Sequence, residues 1–99
     1  MNRSIMTKNN EQCFLCGCYG PLEWHHVFGG ANRKNSEKYG LVVPLCHRCH
    51  NEPPDGVHFN RRRMDELRAR GQRAFESISS HDEFMKIFGE NYIDEDPEH

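Results

Sequence analysis

"CHRCH", residues 46–50, sets two thiols and two imidazoles within five positions. It follows the apolar run "LVVPL" (41–45) and has an upstream counterpart in "CFLC" (13–16). Two CxxC pairs with 29 residues between them fit one four-thiolate zinc site made of Cys13, Cys16, Cys46 and Cys49. Each CxxC turns two thiolates back onto one ion, and Zn²⁺ imposes no electronic geometry of its own. The gap is longer than in common zinc ribbons, so folded structure must lie inside it. A redox CxxC and unrelated buried cysteines are the competing readings. Cys18 remains as a spare thiol.

Ninety-nine residues allow one domain with a small core, and such a core usually needs a metal or disulfide staple. Five cysteines cannot form a closed disulfide set. No apolar run is long enough to span a membrane, and "MNRSIMTKNNEQ" lacks a signal-peptide pattern. The expectation is a cytoplasmic protein, in a compartment where CxxC pairs bind metal more often than they oxidise. A net charge of −2 hides a strong asymmetry. Residues 33–73 hold ten Lys/Arg against five Asp/Glu, whereas residues 74–99 hold one Lys against eight acids. The basic middle suits phosphate contact, and the acidic end would point away from it.

Along the chain, residues 1–10 are polar and expected to be a flexible N-terminus. Residues 11–60 hold the knuckle and the rest of the site-bearing core. "PLEWHHV" (21–27) alternates as a strand, "FGGANRKNSEKYG" (28–40) has loop composition, and "LVVPL" is a second strand, with Pro44 confining it to an edge or a strand end. A helical turn is predicted over 47–52, broken by "PPDG" (53–56). Residues 61–90 form a helical part of the same domain. Apolar residues recur at Met64, Leu67, Ala74, Phe75 and Ile78, with Gly71 a weak point. Ser80 and Glu83 make a capping box before a second helix, and Gly89 ends it. Trp24, Phe75, Phe84 and Phe88 are core candidates. Residues 91–99 are an acidic tail whose "DEDPEH" end is solvated. The fold class is α+β.

Once the thiols are assigned, His25, His26, His47, His50 and His58 remain. Pleating sends His25 and His26 to opposite faces of the strand, so they should do different jobs. The knuckle ties the start of one strand to the end of the other and brings His50 close to the histidine pair.

The order "EWHH", a Gly/Asn/basic loop, "LVVPLCHRCHN" and "GVHFN" resembles the HNH endonucleases. It is closest in character to small phage and prophage HNH proteins with a four-cysteine zinc knuckle. The resemblance covers roughly residues 13–60 and implies a ββα-metal (His-Me finger) core followed by C-terminal helices. It makes His25 a catalytic-metal ligand, His26 the general base and His50 the next ligand. The family's last ligand position falls on Pro54, which cannot ligate, and His58 is the replacement. The family's central Asn falls on Leu41; Asn32 or Asn35 could take its place. The implied cofactors are a structural zinc and a catalytic divalent ion (Mg²⁺, Mn²⁺, Ni²⁺ or Zn²⁺).

The implied activity is hydrolysis of DNA phosphodiesters. His26 would activate water, while the ion on His25, His50 and His58 would stabilise the phosphate and the leaving oxygen. Arg33, Lys34 and Arg61, with Asn32 and Asn35, are candidate phosphate contacts. Implied partners are DNA and phage packaging or recombination proteins, in the bacterial host's cytoplasm. The alternative is a non-catalytic zinc module that binds nucleic acid or protein.

Overall fold

The computed structural model describes residues 3–93. "PLEWHHV" supplies strand β1 (Glu23–His26), and "LVVPL" supplies β2 (Val42–Leu45). They pair antiparallel, with Glu23 opposite Leu45 and His26 opposite Val42. Pro44 is tolerated because a two-stranded sheet has only edges. Its carbonyl accepts the Phe14 N–H at 2.8 Å, which docks the knuckle onto β2.

The segment with loop composition is not a plain loop. After a short 3₁₀ turn at Gly30–Asn32 it forms helix α1 (Arg33–Lys38). Tertiary bonds override its weak propensity. Asn32 and Asn35 donate to the Phe88 and Ile87 carbonyls at 3.0 and 3.3 Å. Ser36 is fully buried; its hydroxyl donates to the Leu41 carbonyl and accepts from the Phe28 N–H. Asn32 and Asn35 thus hold carbonyls at the end of the last helix.

Helix α2 (His47–Asn51) follows Cys46, whose carbonyl accepts the His50 N–H at 3.0 Å. The PPDG turn and a 3₁₀ turn at Val57–Phe59 lead to α3 (Arg61–Ile78). The helix is capped by the Asn60 side chain, which accepts the Arg63 N–H. Its buried face differs from the expected stripe. Ile78 is 70% exposed, while Gly71 and Gln72 fill the space between Leu67 and Phe75. Gly71 is a contact point and not a weak one: an added Cβ would sit 3.1 Å from Val27 Cγ1 and 3.3 Å from the Phe28 ring.

Helix α4 (His81–Phe88) begins as expected, with the Ser80 hydroxyl accepting the Glu83 N–H at 3.0 Å, and ends at Gly89 with φ +81°. Its Phe84 and Phe88 stack at 4.7 Å and meet Phe28 and Phe75. This aromatic cluster packs the helices against the loop behind the hairpin. Trp24 lies outside the buried core, half-buried beneath the Arg3 guanidinium at 4.8 Å.

Both ends depart from expectation. From Arg3 onward the N-terminal segment is tied down: the Ile5 N–H donates to the Gly40 carbonyl, Ser4 is buried, and Arg3 pairs with Glu37. At the other end, Asn91–Ile93 dock on α3, while "DEDPEH" lies outside the described residues. Among the described residues no helix is long and apolar enough to cross a membrane.

Gln72 carries that docking. Its oxygen accepts the Tyr92 N–H at 2.6 Å, and its amide donates to Glu76 and Asn91 at 2.8 and 2.7 Å. Truncation leaves buried groups unpaired, at a cost of about 1–3 kcal/mol, and opens a cavity besides. Gln72→Ala is therefore expected to lower the urea unfolding free energy by about 2 kcal/mol or more. A loss below about 0.5 kcal/mol would show that the 91–93 segment contributes nothing to the core.

Candidate metal centres

The sulfur atoms of Cys13, Cys16, Cys46 and Cys49 all lie within 4.8 Å of one another, and none is in a disulfide. Gly17, at φ +80°, closes the first turn, with its N–H on the Cys13 carbonyl at 2.9 Å. Cys46 and Cys49 are presented by the start of α2. Cys16 and Cys46 sulfurs approach to 3.7 Å. The Cys18 backbone N–H, then neighbouring thiols, draw Cys16 down to about 6. Burial opposes ionisation of Cys13, but N–H groups of Cys16, Cys46 and Leu15 outweigh it and the net shift is downward. Cys49 is pushed up to about 12, first by burial and then by its sulfur neighbours. Four thiolates at this spacing repel one another unless a metal neutralises them, which is the donor set and spacing of a structural zinc site. Cys18 is exposed and lies outside the four.

A second cluster sits on the other side of α2. Donor nitrogens of His25, His50 and His58 also lie within 4.8 Å of one another. Their ring centroids are 4.9–5.2 Å apart, and His50 Nε2 is 3.2 Å from His58 Nε2. His25 is 3% exposed, and its Nε2 is the one buried side-chain polar atom without a partner among the described residues. An orphaned buried donor or acceptor costs about 1–3 kcal/mol, so the site is built for something that bonds there. Burial first, then His50 and His58, hold the His25 pKa down at about 3, and burial likewise lowers His58. Both imidazoles therefore stay in the neutral, ligating form. Three imidazoles suit a first-row divalent ion with coordination positions left over.

His50 is aimed by a carboxylate absent from the sequence-based set. Glu23 Oε1 lies 2.7 Å from His50 Nδ1, and Glu23 Oε2 lies 3.1 Å from His47 Nδ1. Its own pKa is lowered by the His50 and His47 bonds. This arrangement leaves His50 Nε2 for the cluster, the usual outer partner of a metal-ligating histidine. Glu23 occupies the same pleat as His25, two residues earlier, so the alternation could have identified it. His58 reaches the cluster because the PPDG turn is tight: Gly56 donates to the Glu52 carbonyl, and a Cβ there would meet Glu52 backbone atoms at 2.6 and 2.8 Å. The Asn60 amide and the Arg63 guanidinium hold the Pro54 and Asp55 carbonyls.

His26 occupies the opposite pleat. Its Nε2 lies 2.8 Å from Glu37 Oε1, and Glu37 also pairs with Arg3. Arg3 first, then His26, draw the Glu37 pKa down to about 2. A carboxylate can only accept, so the neutral tautomer that suits this contact carries its proton on Nε2 and its lone pair on Nδ1. His26, Arg33, Trp24 and the three clustered histidines line one cavity of about 290 Å³. Lys34 does not line it. Arg61 lines a neighbouring groove, where it pairs with Asp65 at 3.0 Å. Nothing in sequence marked Arg3 or Glu37, because their meeting depends on the docked N-terminal segment.

No family model matches the chain, and neither a curated protein nor a solved structure gives a significant match to it.

The two clusters should separate by mutation. Elemental analysis of the purified chain is expected to find two ions, one held through chelation and one exchangeable. His58→Ala should release only the second, and Cys46→Ser should unfold the protein. A single ion in the parent chain, or unfolding by His58→Ala as complete as by Cys46→Ser, would contradict two separate sites.

Proposed function

We propose that this chain is a metal-dependent DNA endonuclease of the HNH, ββα-metal class. The observation that carries the reading is the orphaned Nε2 of buried His25 inside a three-imidazole cluster, with His26 lining the same cavity from the next position. The antiparallel pair β1 and β2, joined through α1 and followed directly by α2, is compatible with it. Leu41 in place of the family's Asn is offset by Ser36. That hydroxyl joins the Phe28 N–H to the Leu41 carbonyl and so closes the loop between the strands.

His25, His50 and His58 would hold the divalent ion, which when bound supplies positive charge and open positions for phosphate and leaving-group oxygens. His26 accepts the proton of the attacking water at Nδ1. Glu37 accepts the hydrogen bond from His26 Nε2 and steadies the imidazolium as it forms. Glu23 keeps His50 turned inward. Arg33, on the cavity wall, binds a non-bridging phosphate oxygen. The thiolate zinc does no chemistry and fixes the hairpin relative to α2.

Plasmid DNA incubated with the protein and Mg²⁺, Mn²⁺, Ni²⁺ or Zn²⁺ is expected to be nicked with at least one ion. His26→Ala should lose about 100-fold or more in rate, the scale of general-base catalysis, while its melting temperature stays near the parent's. Absence of metal-dependent nicking, or nicking by His26→Ala at the parent rate, would contradict the reading in favour of a non-catalytic zinc module.

A further inference from the structure

His58 lies on the wall of the histidine cavity. His58 also lines an open groove of about 490 Å³, shared with Phe59, Asn60, Arg61, Met64 and Arg68. Phe59 is 59% exposed there, although Val57, two residues earlier, is buried. The groove is rich in cations at a place where a helix resists them. Arg61 and Arg62 occupy the first turn of α3, which holds no acid, against the positive end of the helix dipole. Their side chains are 83% and 87% exposed, and among the described residues their ion pairs are with Asp65 and Glu66, one turn further on. Such exposed pairs are weak and exchange readily for a phosphate. Arg68 lines the same groove, and its Nε lies 3.5 Å from the Val27 carbonyl, just beyond His26. Groove and histidine cavity share His58 as a wall and so adjoin.

An exposed aromatic face flanked by guanidinium groups is the chemistry that holds an unpaired nucleic-acid strand. Bases stack on the ring, and cations follow the phosphates. A closed duplex keeps its base faces inside its own stack and cannot use Phe59.

We propose that the groove beside His58 is a single-strand subsite. Phe59 stacks an unpaired base adjacent to the phosphate in the histidine cavity, while Arg61 and Arg68 hold flanking phosphates. The substrate class is then DNA with an unpaired strand, free or as a flap, in preference to closed duplex. This rests on the nuclease reading for the role of the neighbouring cavity.

The test is binding without cleavage. Fluorescence anisotropy of a labelled short oligothymidylate, and of a blunt duplex of equal length, is measured on the full chain carrying His26→Ala. The oligothymidylate should bind more tightly. Adding Phe59→Ala should weaken it about tenfold and the duplex less than about twofold, whereas Phe59→Trp should keep parent affinity, as expected of stacking. Equal weakening of both DNAs, no weakening of either, or no binding of oligothymidylate would overturn the subsite. Failure of the parent chain to cut either plasmid or the oligothymidylate with any of the metals, with this binding pattern intact, would overturn the nuclease reading alone. Nicking with an oligothymidylate affinity indifferent to Phe59 would overturn the subsite alone.

Discussion

The peptide bond between Cys49 and His50 ties the two clusters together. Consecutive residues on a helix point about 100° apart, so α2 sends Cys49 into the thiol cluster and His50 into the imidazole cluster. Neither side chain can shift far without moving the other. The helix itself is only five residues long, too short to be stable alone. What positions it is the thiol cluster at its start, whose four sulfurs lie within 4.8 Å of one another; a zinc ion bound there would supply on the order of 10–16 kcal/mol at neutral pH. The position of His50 is thus tied to the thiol cluster one residue away.

Carboxylates finish what the thiols begin. Glu23 on β1 reaches across to His50 and His47, linking the strand that carries His25 to the helix that carries His50. Glu37 on α1 does the same for His26 on the opposite pleat, and is itself held by Arg3. Both glutamates are partly exposed, at 42% and 46%, so their ion pairs add little to stability. Their effect is directional: each fixes which nitrogen of its histidine faces inward. The aromatic cluster of Phe28, Phe75, Phe84 and Phe88 supplies the apolar burial that the small sheet cannot.

Much of this was legible from local spacing. Two CxxC pairs predicted the thiol cluster and the two-residue period placed His25 and His26 on different faces; His58 came only from the family resemblance, whose last ligand position falls on Pro54. Helix α4 was legible from Ser80, Glu83 and Gly89, because caps are local chemistry. What was not legible depends on long-range contacts. Helix α1 has loop composition and forms because Asn32, Asn35 and Ser36 find partners far along the chain. Gly71 looked like a weak point in an apolar stripe, yet it admits Val27 and Phe28, and Gln72, which nothing in the stripe marked, ties down residues 91–93. The N-terminal segment looked frayed because nothing in "NRSIM" announces Gly40, Glu37 or Trp24 as partners.

The central claim is that one hairpin and one short helix serve two chemically distinct metal sites. X-ray absorption at the zinc K-edge of the zinc-loaded protein tests it most directly. Two coordination shells are expected, sulfur at about 2.3 Å from the thiol site and nitrogen at about 2.0–2.1 Å from the imidazole site. His25→Ala should remove most of the nitrogen shell and leave the sulfur shell intact. A sulfur shell alone in the parent protein would contradict the account.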